Sequence, residues 1–114
     1  MSRAKYMGFY RENVRLFDPE LALNYPMMSD SFSDSEVPDK EKIISFLLNG
    51  GHVDLATSAR ATDIFTGEPI GLYSDTRTDG KYSWPTTLAY YVERYNLILP
   101  DDFVAHIVQS TQTD

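Results

Sequence analysis

Three glycine-containing turn signals divide the middle of the chain into short segments. They are GG at 50–51, TGEP at 66–69 and DG at 79–80. Glycine adopts the positive φ of tight turns at little cost, and Asp-Gly is a preferred pair for a hairpin loop. Because the intervening segments are too short for helical crossovers, we predict strands that pair antiparallel.

Extended patterns occupy the segments between these turns. Residues 52–57 alternate Val, Leu and Thr with His, Asp and Ala, which predicts a strand with one buried face. The pair at 64–65 leads into the second turn and an extended pattern resumes at 70–74, which predicts a hairpin or meander. The Asp-Gly pair lies between segments that contain Tyr73 and Tyr82, so it predicts a second hairpin.

Three segments, at 40–49, 85–96 and 100–109, have the signatures of helices. In the first, Asp39 is a favourable N-cap, and Ile and Leu residues repeat at helical spacing. In the second, Pro85 suits a first helical turn, and apolar side chains recur at i, i+3, i+4 and i+7. In the third, two aspartates occupy the positive end of the helix dipole. The sequence therefore predicts an α+β fold, with a small antiparallel sheet of three to four strands packed by these helices.

The two ends of the chain have weaker patterns. Residues 1–17 mix basic and aromatic side chains, which fits either an amphipathic helix or an edge strand. Residues 18–38 contain three prolines and a Ser/Asp cluster, which predicts a long acidic loop without regular structure. Residues 110–114 are expected to fray. Residues 1–114 are expected to form a single domain, since a chain of this size buries about two thirds of its unfolded surface around one core.

Charge is unevenly distributed along the chain, and the net charge is -7. Residues 1–17 contain four basic side chains and one acid, whereas residues 18–41 contain seven acids and one lysine. The excess of acid opposes binding to phosphate backbones, so we predict no nucleic-acid partner. Two interpretations of the acidic part are open: a solvated surface with a flexible loop, or a face that steers a basic protein partner.

The chain contains no cysteine, and its longest apolar run spans residues 43–48. Secreted domains of this size usually carry disulfides, and a membrane-spanning helix needs about 20 apolar residues. No basic segment followed by an apolar stretch opens the sequence. These features predict a cytoplasmic protein that has no membrane partner.

Catalytic signatures are absent from the sequence, including those of dinucleotide-binding loops, phosphate-binding loops, serine hydrolases and zinc proteases. His52 and His106 are the two side chains that could act as bases near neutral pH. Asp102 lies four residues before His106, so the pair could hold a metal or form an acid-oriented base, but no third ligand is evident. We therefore assign no catalytic, cofactor-binding or metal-binding residue and predict that the protein is not an enzyme.

Aromatic side chains cluster in the second half of the chain. They are Tyr73, Tyr82, Trp84, Tyr90, Tyr91 and Tyr95. The helical stripe places Tyr91 and Tyr95 in the core, whereas Tyr90 is turned by about 100° from Tyr91, toward Glu93. Tyr90 is therefore predicted to be an exposed binding anchor, with a position at the edge of the core as the alternative.

Acidic side chains accompany these aromatic residues and complete a predicted partner-binding surface. Carboxylates accept bidentate contacts from arginine while neighbouring rings exclude water, so this composition suits a basic protein. The predicted surface comprises Tyr73, Asp75, Asp79, Tyr82, Tyr90 and Glu93.

Four segments of the sequence carry a family resemblance. They are DIFTGE at 63–68, DGKYSW at 79–84, LAYYVERYN at 88–96 and LPDDF at 99–103. This pattern resembles one in small uncharacterised bacterial proteins, some of which resemble immunity proteins of polymorphic or contact-dependent toxin systems. The resemblance covers roughly residues 54–107 and transfers no functional residue. It implies a bacterial cytosolic protein that blocks the active site of a cognate toxin, and many such toxins are basic nucleases.

Two functions follow as hypotheses, with the oligomeric state left open. The first is a protein-binding inhibitor, a toxin-immunity protein that occludes a basic toxin. The second is a small-molecule-binding or regulatory domain whose aromatic cluster lines a pocket between helix and sheet. A third hypothesis is an enzyme that uses His106 with Asp102.

Overall fold

The computed structural model describes residues 4–8, 10–16, 18–57 and 59–111. Within these ranges the chain forms an α+β fold of six strands and five helices. The strands are Lys5–Tyr6 (β1), His52–Leu55 (β2), Arg60–Thr62 (β3), Pro69–Tyr73 (β4), Thr76–Thr78 (β5) and Tyr82–Pro85 (β6). The helices are Arg11–Val14 (α1), Pro19–Ala22 (α2), Lys40–Asn49 (α3), Thr87–Tyr95 (α4) and Asp101–Thr111 (α5), and a short 3-10 helix spans Met28–Ser31. The predicted fold class is confirmed.

The strands form a four-stranded sheet in the order β1-β6-β5-β2 and a two-stranded sheet of β3 and β4. Both predicted hairpins are present, since β3 pairs antiparallel with β4 and β5 pairs antiparallel with β6. Strand β1 pairs with β6 in the parallel direction, with Lys5 opposite Tyr82. The larger sheet is therefore mixed rather than purely antiparallel, and the opening segment contains both a strand and a short helix.

Strand β2 pairs antiparallel with β5, and β3 pairs antiparallel with β4. Because β2 leads into β3 and β4 leads into β5, these two pairs form one long two-stranded ribbon with a bend between them. At the bend, the Thr57 amide donates to the Asp75 Oδ1 atom at 2.8 Å, and the Ser74 amide donates to the Ala59 carbonyl at 3.0 Å. All four residues of β2 are exposed, so the prediction of one buried face is wrong. The reason is position: β2 is the outer strand of the sheet, and none of its residues belongs to the buried cluster.

The core forms where β6 meets the three longer helices. Trp84 of β6 is fully buried, and its ring centroid lies 4.9 Å from Phe46 of α3 and 5.9 Å from Phe103 of α5. Tyr91 of α4 is 3% exposed, which confirms its predicted place in the core. Further buried side chains of these helices are Ile43, Leu47, Leu88, Val92 and Ile107.

The three predicted helices are present with shifted ends. The helix predicted at 40–49 is confirmed as α3, but Asp39 has a φ of 57° and its side chain makes no capping hydrogen bond. The helix predicted at 85–96 begins at Thr87, because Pro85 is the last residue of β6. The helix predicted at 100–109 continues to Thr111. The rest of the predicted frayed tail, residues 112–114, lies outside the described residues.

The predicted acidic loop at 18–38 contains regular structure, because a buried carboxylate and a helix cap order it. Asp18 caps α2 by accepting the Leu21 amide at 3.0 Å. Glu12 is 5% exposed and accepts the amides of Met28 and Ser29 at 2.6 and 3.0 Å. Burial alone would raise the pKa of Glu12, but these hydrogen bonds outweigh it and the pKa is lowered. The loop therefore folds around an ionised carboxylate supplied by α1.

The end of this segment is fixed against the connection between α4 and α5. The Ile98 amide donates to the Ser31 carbonyl at 2.8 Å, and the Ser33 amide donates to the Asn96 carbonyl at 3.1 Å. Asn96 has a φ of 54°, and its side-chain oxygen accepts a hydrogen bond from Lys40 at 2.8 Å. These contacts hold the end of the 18–38 segment beside the start of α5.

Candidate functional site

The acids and the tyrosine of the predicted surface at the second hairpin are used inside the molecule. The Tyr82 side chain is 7% exposed, and its hydroxyl donates to the Asp102 Oδ2 atom at 3.2 Å. Asp79 accepts the amides of Lys81 and Tyr82 at 3.0 and 2.9 Å, which closes the turn. Asp75 accepts the Thr57 amide at the bend of the ribbon. These three side chains therefore have structural contacts within the molecule, although Asp75 and Asp79 stay partly exposed.

The Tyr90 side chain also makes contacts within the molecule. It is half-buried, and its hydroxyl donates to the Asp63 Oδ2 atom at 2.7 Å, so the alternative position at the edge of the core is the one observed. Tyr73 is 48% exposed and lies 5.9 Å from the Arg60 guanidinium, and Glu93 is exposed on α4. Of the six predicted residues, two are thus exposed, Tyr82 is buried, and the other three are partly exposed.

Asp63, which the sequence reasoning did not single out, is the centre of the aromatic cluster. It is 1% exposed, and besides Tyr90 it accepts the Tyr95 hydroxyl at 2.5 Å. Its other oxygen accepts the amides of Phe65 and Thr66 at 2.7 and 3.1 Å. One feature of the sequence indicates this role. Asp63 precedes Phe65 by two residues and Thr66 by three, at the start of a glycine turn, and an aspartate in this position commonly accepts hydrogen bonds from the amides that follow it.

The four hydrogen bonds decide the ionisation of this group. Burial alone would raise the pKa of Asp63, but the bonds from Tyr95, Tyr90 and the two amides outweigh it, and the pKa lies below its ordinary value of 3.8. Burial and the bond to Asp63 raise the pKa of Tyr95 to about 12. The site therefore consists of one carboxylate and two neutral tyrosines, and it attaches the tip of the β3–β4 hairpin to α4.

The rings around Asp63 pack on one another. Phe32 stacks on Tyr95 at a centroid distance of 4.7 Å, and Phe65 meets Tyr95 edge-on at 5.4 Å.

A cavity of about 190 Å³ lies between β4 and the helices α3 and α4. Its lining residues are Ile44, Leu48, Ile70, Leu72, Ala89, Tyr90 and Glu93. The pocket between helix and sheet thus has one aromatic residue in its lining.

His106 of α5 pairs with the second hairpin and not with the neighbouring acid on its own helix. Its Nε2 atom lies 2.5 Å from the Asp79 Oδ2 atom, and its ring packs 4.7 Å from Tyr82. Asp102 instead contacts the Lys5 ammonium at 3.5 Å in addition to Tyr82. Burial would raise the pKa of Asp79, but the bonds from His106 and the turn amides lower it overall. The pair therefore ties the Asp-Gly turn to α5.

Replacing His106 with alanine should lower the free energy of unfolding by about 1–3 kcal/mol, since Asp79 then loses a charge-assisted hydrogen bond. Urea unfolding at neutral pH measures the change. Gln109→Ala, at an exposed position of the same helix, is the matched control and should change stability by less than about 0.5 kcal/mol. Equal effects of the two substitutions would contradict a structural role for the His106–Asp79 pair.

An apolar groove of about 490 Å³ lies between residues 33–38 and the helices α3 and α5. Val37, Ile43 and Leu99 are buried in it, whereas Ile98 is 47% exposed. The other lining residues are Ser33, Ser35, Glu36, Pro38, Asp101 and Val104. The groove exists because the 31–33 segment is hydrogen-bonded to the 96–98 segment, which brings two distant parts of the chain together.

The chain segment that lines one side of this groove is rich in carboxylates. Those of the acidic segment, defined as residues 30–41, are Asp30, Asp34, Glu36, Asp39 and Glu41, all of them exposed. In the part of the chain that the structure describes, none of these five forms an ion pair. The ammonium of Lys40, the lysine within the segment, bonds the Glu93 carbonyl and the Asn96 side chain instead. The acidic segment therefore presents uncompensated negative charge on an ordered backbone.

The described residues contain no group of three or more His, Asp or Glu side chains arranged to hold a metal ion. In the same residues, no helix combines the length and the apolar composition that crossing a membrane requires.

Comparison with known proteins adds no relative to this description. No family model matches the chain, and no curated protein and no solved structure matches it either.

Proposed function

We propose that the protein is a binding inhibitor of a basic protein, of the kind found in toxin-immunity pairs. The observation that carries this proposal is the acidic segment, whose five carboxylates are exposed, unpaired within the described chain and fixed beside an apolar groove. A free acidic loop would pay an ordering cost on binding, whereas this segment is already held by the Ser31–Ile98 hydrogen bond, and Glu12 fixes Met28 and Ser29 directly before it.

The inhibition acts by steering and then by occlusion. The net charge of -7 attracts a basic partner over distances comparable to the Debye length, which is about 8 Å at physiological salt. Contact then places the acidic segment over the cationic surface of the partner, where carboxylates accept bonds from Lys and Arg. A nuclease whose active site uses such cations to hold phosphate loses access to its substrate.

The direct test is titration calorimetry with the product of the reading frame immediately upstream in the source genome, in a catalytically inactive form. We expect a one-to-one complex of nanomolar affinity. Stopped-flow mixing of the two proteins should show an association rate that falls by about tenfold or more between low and high salt. The double reversal Asp34→Lys with Glu41→Lys should slow association. The matched reversal Asp54→Lys with Glu68→Lys, at exposed acids outside the segment, should leave it within about threefold.

Two outcomes would count against this function. Absence of binding would remove the immunity assignment, and tight binding with salt-independent association would remove the electrostatic mechanism.

The cavity of about 190 Å³ between β4 and the helices favours a second candidate function, a small-molecule-binding domain. A thermal-shift screen distinguishes it, because a ligand of the folded state raises the melting temperature.

A further inference from the structure

The groove beside the acidic segment has a packed floor and an open side. On the floor, Val37, Ile43 and Leu99 are 7%, 1% and 2% exposed, whereas Ile98 on the open side is 47% exposed. Its volume of about 490 Å³ falls in the range of about 300–1,000 Å³ that ligand clefts usually have. The groove can therefore accept an apolar side chain from another molecule.

The charge at the rim of the groove limits which kind of molecule can bind there. Glu36 and Asp101 line it from opposite segments, and both are exposed. Asp101 begins α5, where its carboxylate offsets the positive end of the helix dipole, so the rim stays favourable for cations. An occupant that satisfies floor and rim together combines an aliphatic side chain with flanking Lys or Arg residues.

We propose that this groove binds an amphipathic basic segment of the partner protein, with one aliphatic side chain against Ile98 and cationic side chains on Glu36 and Asp101. The inference rests on the proposed function, in which the partner is a basic protein. A second copy of this chain is disfavoured as the occupant, because each copy carries a net charge of -7. Central apolar anchors with a charged rim are the usual source of interface affinity.

The first experiment uses two synthetic helical peptides of equal charge, one composed of Lys and Leu and the other of Lys and Ala. Titration into the isotopically labelled protein should shift the amide resonances of Val37, Ile98 and Val104 with the Lys/Leu peptide. The Lys/Ala peptide should bind at least about tenfold more weakly, because it lacks the anchor. Equal affinities, or shifts confined to residues outside the groove, would overturn the proposal.

The second experiment compares two matched substitutions of exposed aliphatic residues. Ile98→Asp should weaken the Lys/Leu peptide by about tenfold or more, whereas Leu55→Asp on β2 should change its affinity by less than about threefold. Leu55 is 60% exposed and contributes nothing to the groove lining, so it controls for added charge. Ile98→Ser repeats the test without adding charge, and unchanged thermal midpoints verify folding. Equal losses in the Ile98 and Leu55 variants would overturn the proposal.

The same variants separate this inference from the proposed function. If the upstream gene product binds tightly and Ile98→Asp and Ile98→Ser bind it as well as the unsubstituted protein does, the inhibitor function stands and the groove proposal falls. If the gene product fails to bind but the peptide experiments succeed, the groove stands and the immunity assignment falls. Peptide-independent dimerisation that Ile98→Asp abolishes would assign the groove to a second copy and overturn the proposal.

Discussion

Replacing Trp84 with alanine should lower the free energy of unfolding by about 3–5 kcal/mol, the usual cost of removing a large buried ring. Trp84 is fully buried, and its indole N–H donates to the Leu47 carbonyl at 2.8 Å. Its ring also contacts Phe46 and Phe103, so it joins β6 to α3 and α5 at once. The substitution therefore creates a cavity and leaves a buried carbonyl without its donor.

Urea unfolding followed by far-UV circular dichroism measures this effect, and a shift of the midpoint with an unchanged slope identifies a loss of stability. Tyr73→Ala is the matched control, because this ring is 48% exposed. It should change stability by less than about 0.5 kcal/mol. A similar loss in both variants would mean that β6 is not the centre of the core.

The parts of the fold that the sequence predicts correctly depend on local chemistry. The turns at Gly67 and Gly80 require positive φ, and both glycines adopt it, at 78° and 93°. The stripe on α4 is also local, and it places Tyr91 in the core as expected, together with Leu88 and Val92. Tyr95, predicted to be buried with Tyr91, is partly exposed and packs at the edge of the core. These elements are specified within a dozen residues, so a single sequence is sufficient to find them.

The errors in the fold concern pairings between distant segments. The parallel pairing of Lys5 with Tyr82 joins residues far apart in the chain, and no local pattern encodes it. The exposure of β2 follows from its place at the sheet edge, although its alternation is typical of a half-buried strand. Order in the predicted acidic loop at 18–38 depends on Glu12, whose two amide partners lie 16 and 17 residues away.

The contacts of the predicted partner-binding surface also depend on distant residues. Composition drew attention to acids and tyrosines, but it could not reveal that Tyr90 and Asp79 are used by Asp63 and His106, each 27 residues distant. The groove forms where residues 33–38 meet Ile98, and these two segments are separated by 60 residues or more along the chain. The charge asymmetry along the chain was the sequence feature that pointed toward it.

Replacing Asp63 with asparagine should lower the free energy of unfolding at neutral pH by about 2–4 kcal/mol. The carboxylate accepts four hydrogen bonds, two from tyrosine hydroxyls and two from backbone amides. Asparagine keeps the shape but replaces one acceptor oxygen with a donor, so either the tyrosines or the amides of the turn face an N–H group. The tip of the β3–β4 hairpin then loses its attachment to α4.

The pH dependence of this difference identifies the ionised carboxylate as its cause. The pKa of Asp63 in the folded protein lies below its ordinary value of 3.8, so its stabilising contribution is complete well above that value and is lost as the pH falls through the folded pKa. Urea unfolding from about pH 7 down to about pH 3 should therefore show that the stability gap between the unsubstituted protein and Asp63→Asn narrows below about pH 4. Glu68→Gln, at an exposed acid of the same turn, should differ from the unsubstituted protein by less than about 0.5 kcal/mol throughout. A constant gap for Asp63→Asn across this range would mean that packing, and not charge, stabilises the hairpin tip.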